Sequence, residues 1–152
     1  MRFFFYGTLL AGSDNPVAAQ IHARLQPAGM ASVKGALWAI PDPLGWFPAL
    51  VADEGAGAVR GMIYEARATF DAADLARMDA YEDCDPAHAD ASLYLRRAFA
   101  VMPEVASGSR GEAQVYVWNR PVPDGARAIP GGDFRAWLAA EGLAQFTGLR
   151  EG

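Results

Sequence analysis

The sequence predicts an α+β fold in which a mixed, partly closed β-sheet carries a few short helices. About six segments have the character of strands and only three that of helices, which is too few for a repeating βαβ arrangement. The 152 residues also fit one ordinary domain and contain neither an internal repeat nor a low-complexity linker. A single domain over residues 1–152 is therefore the expectation.

The six strand candidates are apolar or alternating segments bounded by glycine and proline. They are residues 2–6, 30–40, 47–51, 58–67, 92–102 and 113–118. We interpret the first, an aromatic run, as a buried strand and not a signal peptide, because Gly7 and Thr8 interrupt it and no small-residue cleavage site follows. Gly35 interrupts the second candidate. Gly61, inside the fourth, indicates a bulge or the close approach of another backbone.

The clearest helix covers residues 69–81. Thr69 or Asp71 can cap its N-terminus. Apolar side chains recur every third residue along one face, and these are Leu75, Met78 and Tyr81.

Two shorter helices flank the chain. The Ser-Asp-Asn-Pro run of residues 13–16 is typical of a helix start, and that helix should end before Pro27. Asp133 caps the last helix, residues 134–140, and Gly142 closes it.

Composition excludes several classes of function. Hydrophobic residues make up 52% and charged residues 20%, which is typical of a globular protein. The net charge of −5 and a pI near 4.9 argue against nucleic-acid binding and against docking on an anionic membrane. No stretch is long enough to span a bilayer. Cys84 is the one cysteine, so no internal disulfide can form, and a reducing compartment, the cytoplasm, is indicated.

The first candidate site is Tyr6-Gly7-Thr8-Leu9, where the first strand ends. Glycine here would allow a positive φ and a sharp turn, after which consecutive amide groups can converge on a carboxylate. Taken alone, an ordinary strand-ending glycine explains the pattern better.

The second is Tyr81-Glu82, at the C-terminal end of the clearest helix. The helix dipole and the neighbouring Asp83 and Asp85 both oppose ionisation of Glu82, so its pKa should rise towards the range useful for acid–base catalysis. A solvated acidic helix end is the favoured alternative when the motif is considered alone.

The third is Tyr94 with Arg96, which alternation places on one strand face, with Arg97 on the other. An inward Arg96 would need a carboxylate or carbonyl partner, and it could orient Glu82 or close the sheet. A strand face with one salt bridge is at least as good an explanation.

A metal site is not expected. Cys84 and His88 lie among carboxylates, but a structural zinc site needs four ligands, mostly Cys and His. The carboxylates also lack the spacing of a calcium loop. A solvated loop explains this acidic segment better.

These motifs gain weight from their order along the chain, which resembles the γ-glutamylcyclotransferase-like superfamily and in particular its AIG2-like members. Six blocks carry the resemblance: Phe5-Tyr6-Gly7-Thr8-Leu9, Phe47-Pro48-Ala49-Leu50-Val51, Val59-Arg60-Gly61-Met62-Ile63-Tyr64-Glu65, Leu75-Ala76-Arg77-Met78-Asp79-Ala80-Tyr81-Glu82, Tyr94-Leu95-Arg96-Arg97 and Ala113-Gln114-Val115-Tyr116-Val117. They span nearly the whole chain.

The resemblance implies a compact mixed β-barrel of about six strands, with short outer helices and a cavity at its mouth. It implies that residues 6–9 bind a glutamyl carboxylate through backbone groups and that Glu82 is the general acid and base. Tyr116 is similar to a cavity-lining position of the family. Tyr94 and Arg96 are the expected supporting residues. Family members often have glycine after the glutamate, where this chain has Asp83.

The implied reaction is the cyclisation of a γ-glutamyl amide or amino acid to pyroglutamate, with release of the amine or amino acid and without metal or organic cofactor. The expected partner is thus a small γ-glutamyl compound, with neither nucleic acid nor membrane. The acidic segment 83–90 could act as a lid, and its charge would disfavour highly anionic substrates. A non-catalytic binding module on the same barrel is the alternative function, and a purely structural interaction protein is the third.

Overall fold

The computed structural model describes residues 1–7, 16–52, 57–106, 108 and 110–146. Strands and α-helices follow one another in this part of the chain as β1 (Arg2–Phe5), α1 (Pro16–His22), β2 (Leu25–Lys34), β3 (Ala36–Asp42), β4 (Gly45–Val51), β5 (Ala58–Ala66), α2 (Ala72–Tyr81), β6 (Tyr94–Pro103), β7 (Gly111–Trp118), β8 (Arg127–Ala128) and α3 (Phe134–Glu141). A single 3₁₀ turn, Ala89–Ala91, precedes β6.

Five strands form a closed mixed barrel, as the family resemblance implies. Their order is β1-β5-β2-β6-β7, and each consecutive pair is antiparallel. A parallel pairing of Phe3 with Gln114 joins β1 to β7 and closes the barrel. The other three strands form a second sheet in the order β4-β3-β8.

The described residues form eight strands, whereas the sequence predicts about six. The single candidate at residues 30–40 is two strands that belong to different sheets and part at Gly35. Strand β2 also starts earlier, at Leu25, because a register shift between Pro27 and Gly29 lets the strand pass a residue with no amide hydrogen. Strand β8 was not predicted, since two residues carry no periodicity.

The aromatic run of β1 is explained by burial on both faces. Phe3 and Phe5 pack in a core cluster with the inner faces of α1 and α2. Phe4 and Tyr6 point the other way, into a cluster with β5, β7, the second sheet and α3. A strand with no solvent-facing side shows no polar alternation, which confirms the interpretation of residues 2–6 as a buried strand.

Local capping chemistry sets the bounds of the helices. Asp71 caps α2 and forms a capping box with Asp74, whose backbone N–H lies 2.9 Å from Asp71 Oδ1. The helix therefore begins at Ala72 and is shorter than the predicted 69–81. Asp133 and Gly142 bound α3 as predicted. The cap proposed for α1 falls on residues 13–15, outside the described residues. No described helix has the length and apolar character that a membrane span requires.

Gly61 marks a close approach of two backbones. A β-carbon at this position of β5 would overlap the carbonyl oxygen of Phe5 and lie 2.8 Å from Cζ of Phe4. Pairing with β2 continues through Gly61 without a register shift. The predicted close approach is confirmed, and there is no bulge at this residue.

Candidate active site

Glu82 is the C-cap of α2, and the turn that follows it is a Schellman motif. Its two defining hydrogen bonds run from Asp83 N to Ala80 O (3.1 Å) and from Cys84 N to Asp79 O (2.8 Å). Glu82 is only 6% exposed, and Cys84 is also buried. The carboxyl group is therefore not on a solvated helix end, which was the alternative considered for this motif.

Asp83 has φ of +51°, and it is the one non-glycine residue with positive φ in the described part of the chain. It occupies the position of the motif that ordinarily takes glycine, because an L side chain is strained there by about 1–2 kcal/mol. Glycine, which the resemblance leads us to expect directly after the glutamate, adopts this conformation without strain. Aspartate is among the residues that accept the conformation best.

We expect Asp83→Gly to stabilise the protein by about 0.5–1 kcal/mol, since removing the side chain relieves the left-handed strain and outweighs the added freedom of the unfolded chain. Urea unfolding of the parent and the variant measures the difference. Asp83→Ala is the control, because it keeps the β-carbon and should not stabilise. A glycine variant that is less stable than the parent would contradict this assignment of strain.

Asp79, one turn before Glu82, is the centre of a buried polar network. Arg96 Nε and Nη2 donate to Asp79 Oδ1 and Oδ2 at 2.9 and 3.3 Å. The Tyr116 hydroxyl donates to Asp79 Oδ1 at 2.6 Å, and Arg96 Nη1 donates to Gln114 Oε1 at 3.2 Å. Arg96 and Tyr116 are directly opposite each other on β6 and β7. The network fastens the end of α2 to both strands.

The two titratable neighbours of the network remain protonated at neutral pH. Burial raises the pKa of the Tyr116 phenol far above its ordinary value, and the hydrogen bond to Asp79 and the charge of Glu82 act in the same direction. Burial also raises the pKa of the Cys84 thiol. Tyr116 is thus a neutral donor, and the Cys84 thiol is uncharged.

The bend after β1 is attached to the same strand, β7. The Tyr6 hydroxyl donates to the backbone carbonyl of Tyr116 at 2.6 Å and accepts from Leu50 N at 3.3 Å. Tyr116 therefore links the bend after β1 to the last turn of α2, because its carbonyl accepts from Tyr6 and its hydroxyl donates to Asp79.

Gly7 does not have the positive φ expected from the sequence. Glycine is required there for a different reason, because a β-carbon would overlap Cγ of Pro48 and lie 2.9 Å from its Cδ. The Tyr94 hydroxyl donates to Pro48 O at 2.6 Å and holds this proline in place. Thr8 and Leu9, the remaining residues of the predicted carboxylate nest, lie outside the described residues.

The acidic segment after Glu82 is tied down by side chains of the loop after β7. Asn119 Nδ2 donates to the carbonyls of Ala89 (3.0 Å) and Ser92 (2.9 Å), and Arg120 donates to those of Asp90 and Ala91. These bonds attach the end of the segment to the loop after β7.

Within the segment, Asp85 pairs with His88 at 2.8 Å, and this hydrogen bond lowers the pKa of Asp85. No three potential metal ligands cluster in the part of the chain that the structure describes.

An open groove of about 740 Å³ lies on the outer side of α2. Its lining includes the Asp79–Arg96 ion pair, the small apolar residues of the helix and the start of the acidic segment: Ala72, Leu75, Ala76, Asp79, Ala80, Asp83, Cys84, Asp85, Pro86 and Arg96. The ion pair is thus covered by Tyr116 on one side and borders solvent on the other.

Sequence reasoning missed Asp79 and Pro48. A signal for Asp79 was available, because it precedes Glu82 by three residues on the same helix face, and an inward Arg96 required a carboxylate. Pro48 lay within a recognised block, but its contacts with the Gly7 bend and Tyr94 join strands far apart in sequence. No local pattern reveals such contacts.

Solved structures of low sequence identity have this fold. An AIG2-like protein from Mus musculus is 24% identical, with 81% of this chain and 80% of that chain covered and a TM-score of 0.60. An uncharacterized protein from Pyrococcus horikoshii is 19% identical over 93% of this chain and 96% of that one, also with a TM-score of 0.60. A structure described as γ-glutamyl cyclotransferase is 15% identical over 86% and 72%, with a TM-score of 0.55.

The architecture is therefore that of the γ-glutamyl cyclotransferase barrel. The family model for γ-glutamyl cyclotransferase, AIG2-like proteins matches residues 3–136, and the chain belongs to that family. A comparison with curated proteins gives no significant match.

Proposed function

We propose that this protein is a γ-glutamylcyclotransferase-type enzyme that converts a γ-glutamyl amide or amino acid to pyroglutamate. The observation that carries the proposal is the position of Glu82: a nearly buried carboxyl group at the end of α2, in a chain of this family, beside a second carboxylate already bound by other donors. Asp79 is bound by Arg96 and Tyr116, and we assign the proton transfer to Glu82.

The proposed reaction is intramolecular. The substrate's α-ammonium group gives a proton to Glu82, and the resulting free amine attacks the γ-carbonyl carbon, forming the ring C–N bond. Glu82 then returns its proton to the leaving nitrogen as the original amide C–N bond breaks. The ring nitrogen passes its remaining extra proton to the released amine, which departs as an ammonium ion. Pyroglutamate and a free amine or amino acid result, and Glu82 ends as it began. The protein contributes proton transfer and a folded substrate conformation, which are the two requirements of such a cyclisation.

We assign the substrate's α-carboxylate to main-chain groups of residues 6–9, next to the bend at Gly7. Tyr6 attaches this bend to β7, and Pro48 packs against Gly7. Tyr116 and Tyr94 shape the same region, and Arg96 supports it through Asp79. The substrate is a small molecule, the cytoplasm is its compartment, and neither nucleic acid nor membrane takes part.

The test is release of pyroglutamate from a panel of γ-glutamyl dipeptides and γ-glutamylamines, with γ-glutamylalanine and γ-glutamyl-n-butylamine as reference compounds. Chromatographic detection of pyroglutamate together with stoichiometric free amine would support the proposal. Saturable binding of panel members without any turnover would overturn it and favour a binding module on the same barrel.

A further inference from the structure

Glu82 follows Asp79 by three positions at the end of α2, a spacing at which side chains on a helix are neighbours. We propose that Asp79 is a positioning residue whose charge, balanced by Arg96, sets the ionisation of Glu82. This inference rests on the proposed cyclisation, in which Glu82 must be ionised to accept the first proton.

Asp79 fixes the position of Glu82 in two ways. Its backbone carbonyl accepts the Cys84 N–H that completes the turn around Glu82. Its carboxylate holds the last turn of α2 against β6 and β7 through Arg96 and Tyr116. Asp79 is thus bonded both to the turn that follows Glu82 and to strands β6 and β7. These bonds limit the movement of the Glu82 carboxyl group.

The charge balance around Glu82 follows from the residues that face it. Titratable and charged groups around Glu82 include Asp79 of α2, Asp83 and Cys84 of the turn, Arg96 of β6 and Tyr116 of β7. Cys84 and Tyr116 are neutral. Asp83 is half-buried and borders the outer groove. Among these groups, the Asp79 carboxylate and the Arg96 guanidinium form a largely buried ion pair, so removing either leaves the other unbalanced.

Substitution of Asp79 and substitution of Arg96 should move the pH profile of kcat/KM in opposite directions. In Asp79→Asn, a negative neighbour is lost and Arg96 is left unbalanced, so ionised Glu82 is favoured. The acidic limb of kcat/KM should then move to lower pH by about 1 unit. In Arg96→Gln, the negative charge of Asp79 is left unbalanced, and the limb should move to higher pH by a similar amount.

The experiment measures kcat and KM of the parent and the variants between about pH 4 and pH 9. The substrates are γ-glutamylalanine and γ-glutamyl-n-butylamine. We expect both single variants to lower kcat more than they alter KM, and the double variant to return the limb towards the parent. Both variants are expected to fold, because the pair borders an open groove that admits water to the altered position.

Asp74→Asn is the matched control. Asp74 is also buried on α2 and paired with arginines, but it lies in the first turn, away from Glu82. It should change stability and leave the pH profile in place. Equal displacement of the limb by Asp74→Asn, or limbs that stay fixed in both Asp79→Asn and Arg96→Gln, would overturn the inference.

Failure of the inference is distinguishable from failure of the proposed function. If Glu82→Gln is inactive while the acidic limb of kcat/KM is unchanged in Asp79→Asn and Arg96→Gln, only the positioning role of Asp79 is excluded. If neither reference compound nor any panel member yields pyroglutamate, the proposed function itself is wrong and the role of Asp79 falls with it.

Discussion

Glu82→Gln is expected to lower kcat for pyroglutamate release by about 10²–10⁴-fold, which is the usual contribution of a positioned general acid and base. Glutamine has nearly the same shape as glutamate and can fill the same buried position at the end of α2. It cannot accept the proton of the substrate's ammonium group or deliver one to the leaving nitrogen. The loss should therefore fall on kcat, with a small effect on KM.

Asp83→Asn is the matched control for Glu82→Gln. It removes a carboxylate from the adjacent residue, and asparagine tolerates the left-handed conformation found there. If Glu82 acts only through local negative charge, the two variants should lose activity to the same extent. Near-parental kcat in Glu82→Gln, in a sample whose circular dichroism matches that of the parent, would remove Glu82 from the mechanism.

The fold was predictable wherever it depends on local chemistry. The capping residues Asp71 and Asp133 act within three residues of their partners, so the starts of α2 and α3 can be recognised in the sequence. Strand β8 cannot be found this way, because its two residues are ordered by pairing with Trp38 and Ala39, nearly ninety positions earlier. Pairing over that separation leaves no periodicity in the strand itself.

The candidate site was likewise predictable only where it depends on local sequence patterns. Glu82 and the bend at Gly7 lie at element ends, where sequence patterns are informative. Their relation depends on Tyr116, which is bound through its carbonyl to Tyr6 and through its hydroxyl to Asp79. The hydrogen bonds that join these elements cross 110 and 37 positions, respectively. The sequence pattern indicates which elements carry the candidate site. It does not show that β1 and α2 are joined to the same strand, because that depends on closure of the barrel.

The conformation expected at Gly7 is wrong, although glycine is needed there for another reason. The sequence suggested that glycine was needed for a left-handed turn, but the structure shows a steric requirement imposed by Pro48. This proline has little freedom to retreat, because its carbonyl is bound by the buried Tyr94 hydroxyl and it lies in β4, paired with Ala39 of β3. Even one methyl group at Gly7 must therefore displace the chain as it leaves β1.

We expect Gly7→Ala to destabilise the protein by about 1–3 kcal/mol, the usual cost of forcing a methyl group into a filled space. Activity should fall further, because displacement of the bend by about 1 Å moves the proposed carboxylate anchor and can cost about 10²-fold in kcat/KM. Gly131→Ala is the control, since a β-carbon there meets no atom within 4 Å and both properties should stay close to the parent. Urea unfolding and pyroglutamate release measure the two effects. Parental stability in Gly7→Ala would contradict the tight contact with Pro48, while a destabilised variant with parental kcat/KM would exclude the Gly7 bend from substrate binding.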